Sequence, residues 1–203
     1  LKGQHILVAA SGSIAAVKTP LLISELIKSG AEVQCILTPS ASRLISPLSV
    51  STLSRNRCYL DEDQWNHHQT KPLHIELAEW ADLILIAPLS ASSLARWALG
   101  LADGLLASVL LASEKPSIAV PAMNSAMWNN KINQKNISFL SNSGYEFIGP
   151  KTGKLKCGEF GIGRIATIKE IIEKLDIKMK YRNFYNKKNC LVTAGPTIES
   201  VSY

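Results

Sequence analysis

The run His5-Ile6-Leu7-Val8-Ala9-Ala10, followed by Ser11-Gly12-Ser13, decides the fold. It is short and almost continuously apolar, as a strand covered on both faces must be. After the Ser-Gly-Ser turn, Ile14 to Ser29 carries apolar residues at 14, 17, 21, 22 and 26, the spacing of one helical face. Pro20 fits poorly inside a helix, so this one starts late or kinks there, and Gly30 closes it.

The same alternation continues outward. Glu32 to Leu37 is predicted as a second strand, with Thr38-Pro39-Ser40 expected to begin a short helix. Asp82 to Ala87 is a third strand, followed by Pro88 and the hydroxyl-rich stretch Ser90-Ala91-Ser92-Ser93. Ala91 to Leu111 is helical with a break around Gly100 to Gly104, and Ser117 to Val120 is a fourth strand ended by Pro121. Ile132 to Asn142 reads as helix, Tyr145 to Ile148 as strand and Thr167 to Met179 as a final helix. Strands alternating with helices imply right-handed parallel crossovers, hence an α/β fold with a doubly wound, Rossmann-like parallel sheet. Ligands of such sheets sit beyond the carboxyl ends of the strands, so loops 11–14, 38–40, 87–93 and 121–124 are the informative ones.

Composition agrees. A chain of 203 residues with 46% hydrophobic and 19% charged residues can bury one sizeable core and is not a disordered polymer. Its apolar runs fall short of the roughly 18–20 residues of a membrane helix, and a cytoplasmic protein is expected. The net charge of +6 is concentrated late, since residues 1–150 carry 11 basic and 11 acidic side chains and residues 151–190 carry 11 and 4. That excess marks a solvated helix face and linker; a nucleic-acid patch would want aromatics interleaved within a recognisable module. Cys35, Cys58, Cys157 and Cys190 contain no CxxC pair, which suggests neither a zinc site nor a disulfide framework. Three parts are expected: a globular domain over 1–179, a basic linker over 180–189, and a new strand and turn over 190–203 that stops before any helix. With Leu1 at the start, this suggests a piece of something longer.

Five segments can carry chemistry. Ser11-Gly12-Ser13-Ile14 presents backbone N–H groups at a helix start, either a phosphate cradle or an ordinary tight turn. It matches neither GxGxxG nor a Walker loop, and suits a mononucleotide better than a dinucleotide. Ser90, Ser92 and Ser93 either cap a helix or bind phosphate and ribityl oxygens. His74 begins a helix as a cap or surface group, or serves as a general base. In Pro121-Ala122-Met123-Asn124-Ser125-Ala126-Met127-Trp128, Asn124 can cap a helix or hold a carboxylate, and the methionines can line a planar ring. Cys157 lies in a glycine-rich stretch from Gly153 to Arg164, either a flexible surface loop with an incidental cysteine or a mobile flap where Lys154 and Lys156 favour a thiolate if it is exposed.

Taken together, these motifs resemble the homo-oligomeric flavin-containing cysteine decarboxylases over roughly residues 3–175, the Pro-x-Met-Asn-x-x-Met-Trp segment and the Cys-Gly flap being the specific part. The resemblance implies FMN as cofactor, held by Gly12, Ser13, Ile14, Thr38, Ser40, Ser90, Ala91, Ser92, Ser93 and Ala122. It implies 4'-phosphopantothenoylcysteine as substrate, decarboxylated to 4'-phosphopantetheine in coenzyme A biosynthesis, with Asn124 and Met127 binding it. It makes His74 the base and Cys157 the proton donor. A cysteine carboxylate has no neighbouring electron sink; oxidising the thiol to a thioaldehyde creates one, and reduction of the resulting enethiol returns the electrons. The resemblance further implies trimers, or dodecamers assembled from trimers, with sites between subunits. Leu191-Val192-Thr193-Ala194-Gly195-Pro196-Thr197 with Glu199 is similar to the opening of the ligase domain in bifunctional members. A peptidyl-cysteine decarboxylase and a non-catalytic phosphatase-regulating relative share the fold.

Overall fold

The computed structural model describes residues 1–66, 70–154, 158 and 160–185. Six strands, β1 (His5–Ala10), β2 (Glu32–Leu37), β3 (Cys58–Tyr59), β4 (Leu83–Leu89), β5 (Ser117–Pro121) and β6 (Glu146–Phe147), form one sheet in the order β3-β2-β1-β4-β5-β6. Every neighbouring pair is parallel, with Ile6 beside Val33 on one side and beside Leu83 on the other. The doubly wound expectation holds.

Both faces are covered, which explains why the central strands are apolar at consecutive positions. Ile6, Val8, Val33, Cys35, Leu83 and Leu85 point into one core with α1 (Thr19–Lys28), α2 (Pro47–Ser54) and α8 (Ile168–Tyr185). Leu7, Ala9, Ile36, Ile84 and Ile86 point into the other, against α3 (Leu73–Trp80), α4 (Ala91–Ala98), α5 (Leu105–Ala112) and α7 (Lys131–Asn142). Between β5 and α7 lies the short helix α6 (Ser125–Asn129).

Pro20 acts as expected of a late start. Residues Ile14–Lys18 form a 3-10 turn, and the α-helix begins at Thr19 with the proline in its first turn, where the missing N–H costs nothing. The break between α4 and α5 also falls where Gly100 to Gly104 placed it.

Three expectations are corrected. Thr38-Pro39-Ser40 does not begin a helix: residues 39–44 form turns, and the helix starts at Pro47, whose fixed φ suits a first turn. The region from Gly153 to Arg164, expected as a flap, carries an antiparallel ribbon instead, β7 (Lys151–Lys154) with β8 (Phe160–Arg164). The last helix runs past Met179 to Tyr185, because Ile171, Leu175 and Met179 anchor one face of a continuous amphipathic segment. The tail from 186 to 203, with the expected ligase-like strand, lies outside the described residues.

Candidate active site

The strand order reverses at β1, since the chain moves outward through β2 and β3 and then returns to β4 on the other flank. The carboxyl ends of β1 and β4 therefore diverge into a crevice, the topological switch point where ligands bind. Ser11 ties the two ends together. Its buried hydroxyl donates to the Pro88 carbonyl at 2.8 Å and accepts the Ser90 N–H at 2.7 Å. Its own N–H also reaches the Pro88 carbonyl at 3.1 Å.

Gly12 follows, pressed against the loop after β2. A Cβ at Gly12 would lie 2.5 Å from Ser40 Cβ, so only glycine lets the two loops come this close. On the β4 side, Ser90 caps α4, its hydroxyl accepting the Ser93 N–H at 3.3 Å. The result is a cavity of about 220 Å³ lined by Gly12, Thr38, Ser40, Ser90, Ser92 and Ser93. Hydroxyls from two loops face it beside the amino end of α4, whose dipole favours an anion. This donor set fits the phosphate and ribityl chain of a flavin mononucleotide.

The far wall was not anticipated. Arg96 and Trp97 of α4, then Asp103, Gly104 and Leu106, complete the cavity together with Asp61. Arg96 pairs with Asp103 seven positions on, bridging the break between the two helices. Asp61 accepts the Leu105 N–H at 3.2 Å, supplying the cap that Gly104 cannot. Burial pushes the Asp61 carboxyl up, assisted by Glu62 and Asp103 and opposed by the Leu105 N–H and Arg96. The one signal in the sequence was the acidic trio Asp61-Glu62-Asp63, which gives no sign that its first member reaches a helix 44 residues away.

A second, wider space of about 910 Å³ adjoins the first, sharing Asp61, Asp103 and Gly104 and bounded by Trp65, Leu73 and His74. His74 is the second residue of α3, a helix seated by buried Leu73 and Leu77. The candidate base thus opens onto the same crevice as the hydroxyl cradle.

The remaining expected contacts lie elsewhere. Ser13 caps the 3-10 turn, accepting the Ala15 N–H at 3.4 Å, and Ile14 opens that turn half-exposed. Ala91 begins α4, and buried Ala122 donates its N–H to the Leu89 carbonyl at 3.1 Å. None of these four lines either cavity. Asn124 uses its Oδ1 to cap α6 through the Ala126 N–H at 2.7 Å, and Met127 is 47% exposed. Both stand outside the two cavities of a single chain.

Cys157 lies outside the described residues, but the ribbon on either side of it is fastened to the Asn124 loop. The Met123 N–H donates to the Gly163 carbonyl at 3.1 Å, and the Ser125 hydroxyl to the Ile162 carbonyl at 2.7 Å. The fit is close enough that a Cβ on Gly163 would lie 2.1 Å from the Met123 carbonyl oxygen, at a φ of +139°.

Fold and cradle define a mononucleotide-binding α/β protein. Residues 1–180 match the flavoprotein family model, and the chain belongs to that family. It is 40% identical over 204 residues to the coenzyme A biosynthesis bifunctional protein CoaBC of Haemophilus influenzae, covering 99% of this chain and 50% of that protein. It is 43% identical over 175 residues to a probable phosphopantothenoylcysteine decarboxylase of Streptococcus mutans, covering 85% of this chain and 97% of that one. The chain thus spans about half the length of the bifunctional relatives it matches and nearly all of the shorter one.

Among solved structures, a mutant PPC decarboxylase complexed with pantothenoylaminoethenethiol superposes with a TM-score of 0.82 at 35% identity, covering 88% of this chain and 100% of that one. The FMN binding protein AtHal3 gives 0.80 at 35% identity, covering 89% and 98%.

Proposed function

We propose that this chain is an FMN-dependent decarboxylase converting 4'-phosphopantothenoylcysteine to 4'-phosphopantetheine in coenzyme A biosynthesis. One observation carries the reading: the hydroxyl cradle at the switch point opens, through Asp61, Asp103 and Gly104, onto the space that His74 borders. Relatives that share this chain's length and fold are named for the same activity.

Gly12, Thr38, Ser40, Ser90, Ser92 and Ser93 would hold the phosphate and ribityl chain. When bound, the flavin supplies the reversible two-electron oxidation that gives a cysteine an electron sink before its carboxylate leaves. His74 takes a proton from the substrate at its imidazole. Asn124 spends its carbonyl oxygen on the α6 cap, which leaves its NH₂ to bind the substrate carboxylate, with Met127 alongside. Cys157 returns a proton from its Sγ, and closure of the segment around it would exclude water.

Asn124 and Met127 lie outside the cavity of His74 within one chain, and Ile14, Val17 and Leu21 present an exposed apolar surface. A homo-oligomer, a trimer or a dodecamer assembled from trimers, would complete the site with residues of a second copy. Residues 1–179 are the decarboxylase domain, 180–189 a basic linker and 190–203 the opening of a ligase domain. The protein is cytoplasmic; among the described residues no helix is long and apolar enough to cross a membrane.

The test is incubation of FMN-loaded protein with 4'-phosphopantothenoylcysteine and, separately, with a peptide ending in cysteine, scored by loss of carbon dioxide in mass spectra. Turnover of the first, with a loss of at least about 100-fold in a His74→Asn variant that keeps its flavin, is expected. Turnover of the peptide alone would reassign the substrate, and full activity of the variant would remove His74 from the chemistry.

A further inference from the structure

Outside the crevice, the sheet places two cysteines side by side. Cys35 of β2 and Cys58 of β3 are direct register partners on adjacent parallel strands. Such partners project to the same face of a sheet, with their backbones about 4.8 Å apart. Both side chains enter the core beneath α2: Cys35 is 1% exposed there, and half-buried Cys58 packs against the same cluster. β3 is the outermost strand and only two residues long, which leaves Cys58 half-buried at the sheet edge. Both thiols are free.

We propose that Cys35 and Cys58 form a chelating dithiol site for trivalent arsenicals. Three features select this ligand over the usual partners of cysteine pairs. First, the described residues hold no cluster of three or more His, Cys, Asp or Glu side chains that could complete a metal shell, as a structural zinc ion would need.

Second, burial disfavours deprotonation of both thiols. Burial and the nearby Asp63 carboxylate push Cys58 up to about 12, while burial and the Cys58 thiol raise Cys35 further still. A divalent cation would have to displace those protons as free acid. Third, a direct disulfide wants Cβ atoms about 3.8 Å apart, closer than in-register partners across a parallel pair. A bridging arsenic atom lengthens the link and relieves that mismatch.

The reaction needs no oxidant. An organoarsenous acid, R–As(OH)₂, meets two thiols; two S–H and two As–O bonds break, two As–S bonds form, and two waters leave. Arsenic stays trivalent, and each thiol proton departs on a hydroxide of the reagent.

Phenylarsine oxide is the probe, applied at one equivalent to the full-length protein, with intact-mass measurement followed by tryptic mapping. One phenylarsenic group is expected, joining the tryptic segments that carry Cys35 and Cys58. Cys58→Ser or Cys35→Ser should weaken binding about 100-fold, the loss of an intramolecular second bond. Cys58 is half-buried at an edge, so its variant is expected to fold, and circular dichroism checks this. A Cys157→Ser/Cys190→Ser double variant should bind the reagent like the parent. Arsenic recovered on Cys157 or Cys190, undiminished binding by Cys58→Ser, or an adduct formed only in denaturant would each overturn the proposal.

Discussion

Replacing Gly12 by alanine tests the cradle most directly. The added Cβ would stand 2.5 Å from Ser40 Cβ, 3.2 Å from its Oγ and 3.8 Å from its Cα. Carbon atoms rest about 3.5–4.0 Å apart, so the overlap with Ser40 Cβ is at least about 1 Å, and one of the two loops must move. Overpacking of this kind costs about 1–3 kcal/mol. The Gly12 and Ser40 loops abut and both line the cradle, so this cost falls on flavin binding, where 1.4 kcal/mol is tenfold in Kd. The expected weakening is about 5- to 150-fold, read by titrating apoprotein with FMN and following the flavin's fluorescence. A second variant isolates the cause. Ser40→Gly removes both offending side-chain atoms and leaves only the Cα at ordinary contact. In that background Gly12→Ala should cost little, although Ser40→Gly forfeits its own hydroxyl. Equal penalties for Gly12→Ala in both backgrounds, or FMN binding within twofold of the parent, would refute the reasoning.

Ser11→Ala leaves the buried Ser90 N–H without its acceptor and removes one donor from the Pro88 carbonyl. The loss is about 1–3 kcal/mol, or a Tm lowered by about 3–10 °C by calorimetry; an unchanged Tm would mean that these bonds do not hold the strand ends together. Gly163→Ala drives a Cβ against the Met123 carbonyl at a φ that side chains rarely adopt. It should cut decarboxylation at least tenfold while flavin stays bound, and should speed proteolysis between residues 151 and 164; normal rates in both assays would show that the docked ribbon is not needed. Hydrogen bonds from Lys151 and from the N–H and hydroxyl of Thr167 hold the half-buried Glu170 carboxyl down to about 2. Its folded value is depressed, so its contribution is present above the usual 4.5 and is lost as pH falls towards 2. Glu170→Gln should therefore lower stability at neutral pH and match the parent near pH 2; parallel stability curves across that window would refute the assignment.

Much of this was legible because the strong signals are local. Apolar runs bounded by turns gave β1, β2, β4 and β5, and the helical spacing after Ser13 with Pro20 in it gave the late start of α1. What escaped depends on distant partners. β3 is two residues long and exists as a strand because β2 offers it an edge, so Cys58-Tyr59 carries no periodicity to detect. The β7–β8 ribbon looked like a flap because its glycines suggest freedom. Two of them are there for closeness: side chains on Gly161 and Gly163 would strike Ser125 and Met123. Asp61 shows the same limit in the site itself, since nothing local links that carboxylate to the Leu105 N–H.

The two halves of the site differ in how they are held, and this follows from the fold. The cradle is built at the switch point from strand ends whose backbones are already fixed by the sheet, so Ser11, Gly12, Ser40 and Ser90 need only short bonds to be locked in place. On the proposed reading the flavin would occupy that crevice, so substrate contacts would come from elsewhere. The candidates on that reading stand at the rim: His74 at the start of α3, Asn124 at the start of α6 and the ribbon pinned to the Asn124 loop. Under the proposed function, the rim would admit substrate, exclude water and release product while the strand-end residues keep hold of the flavin.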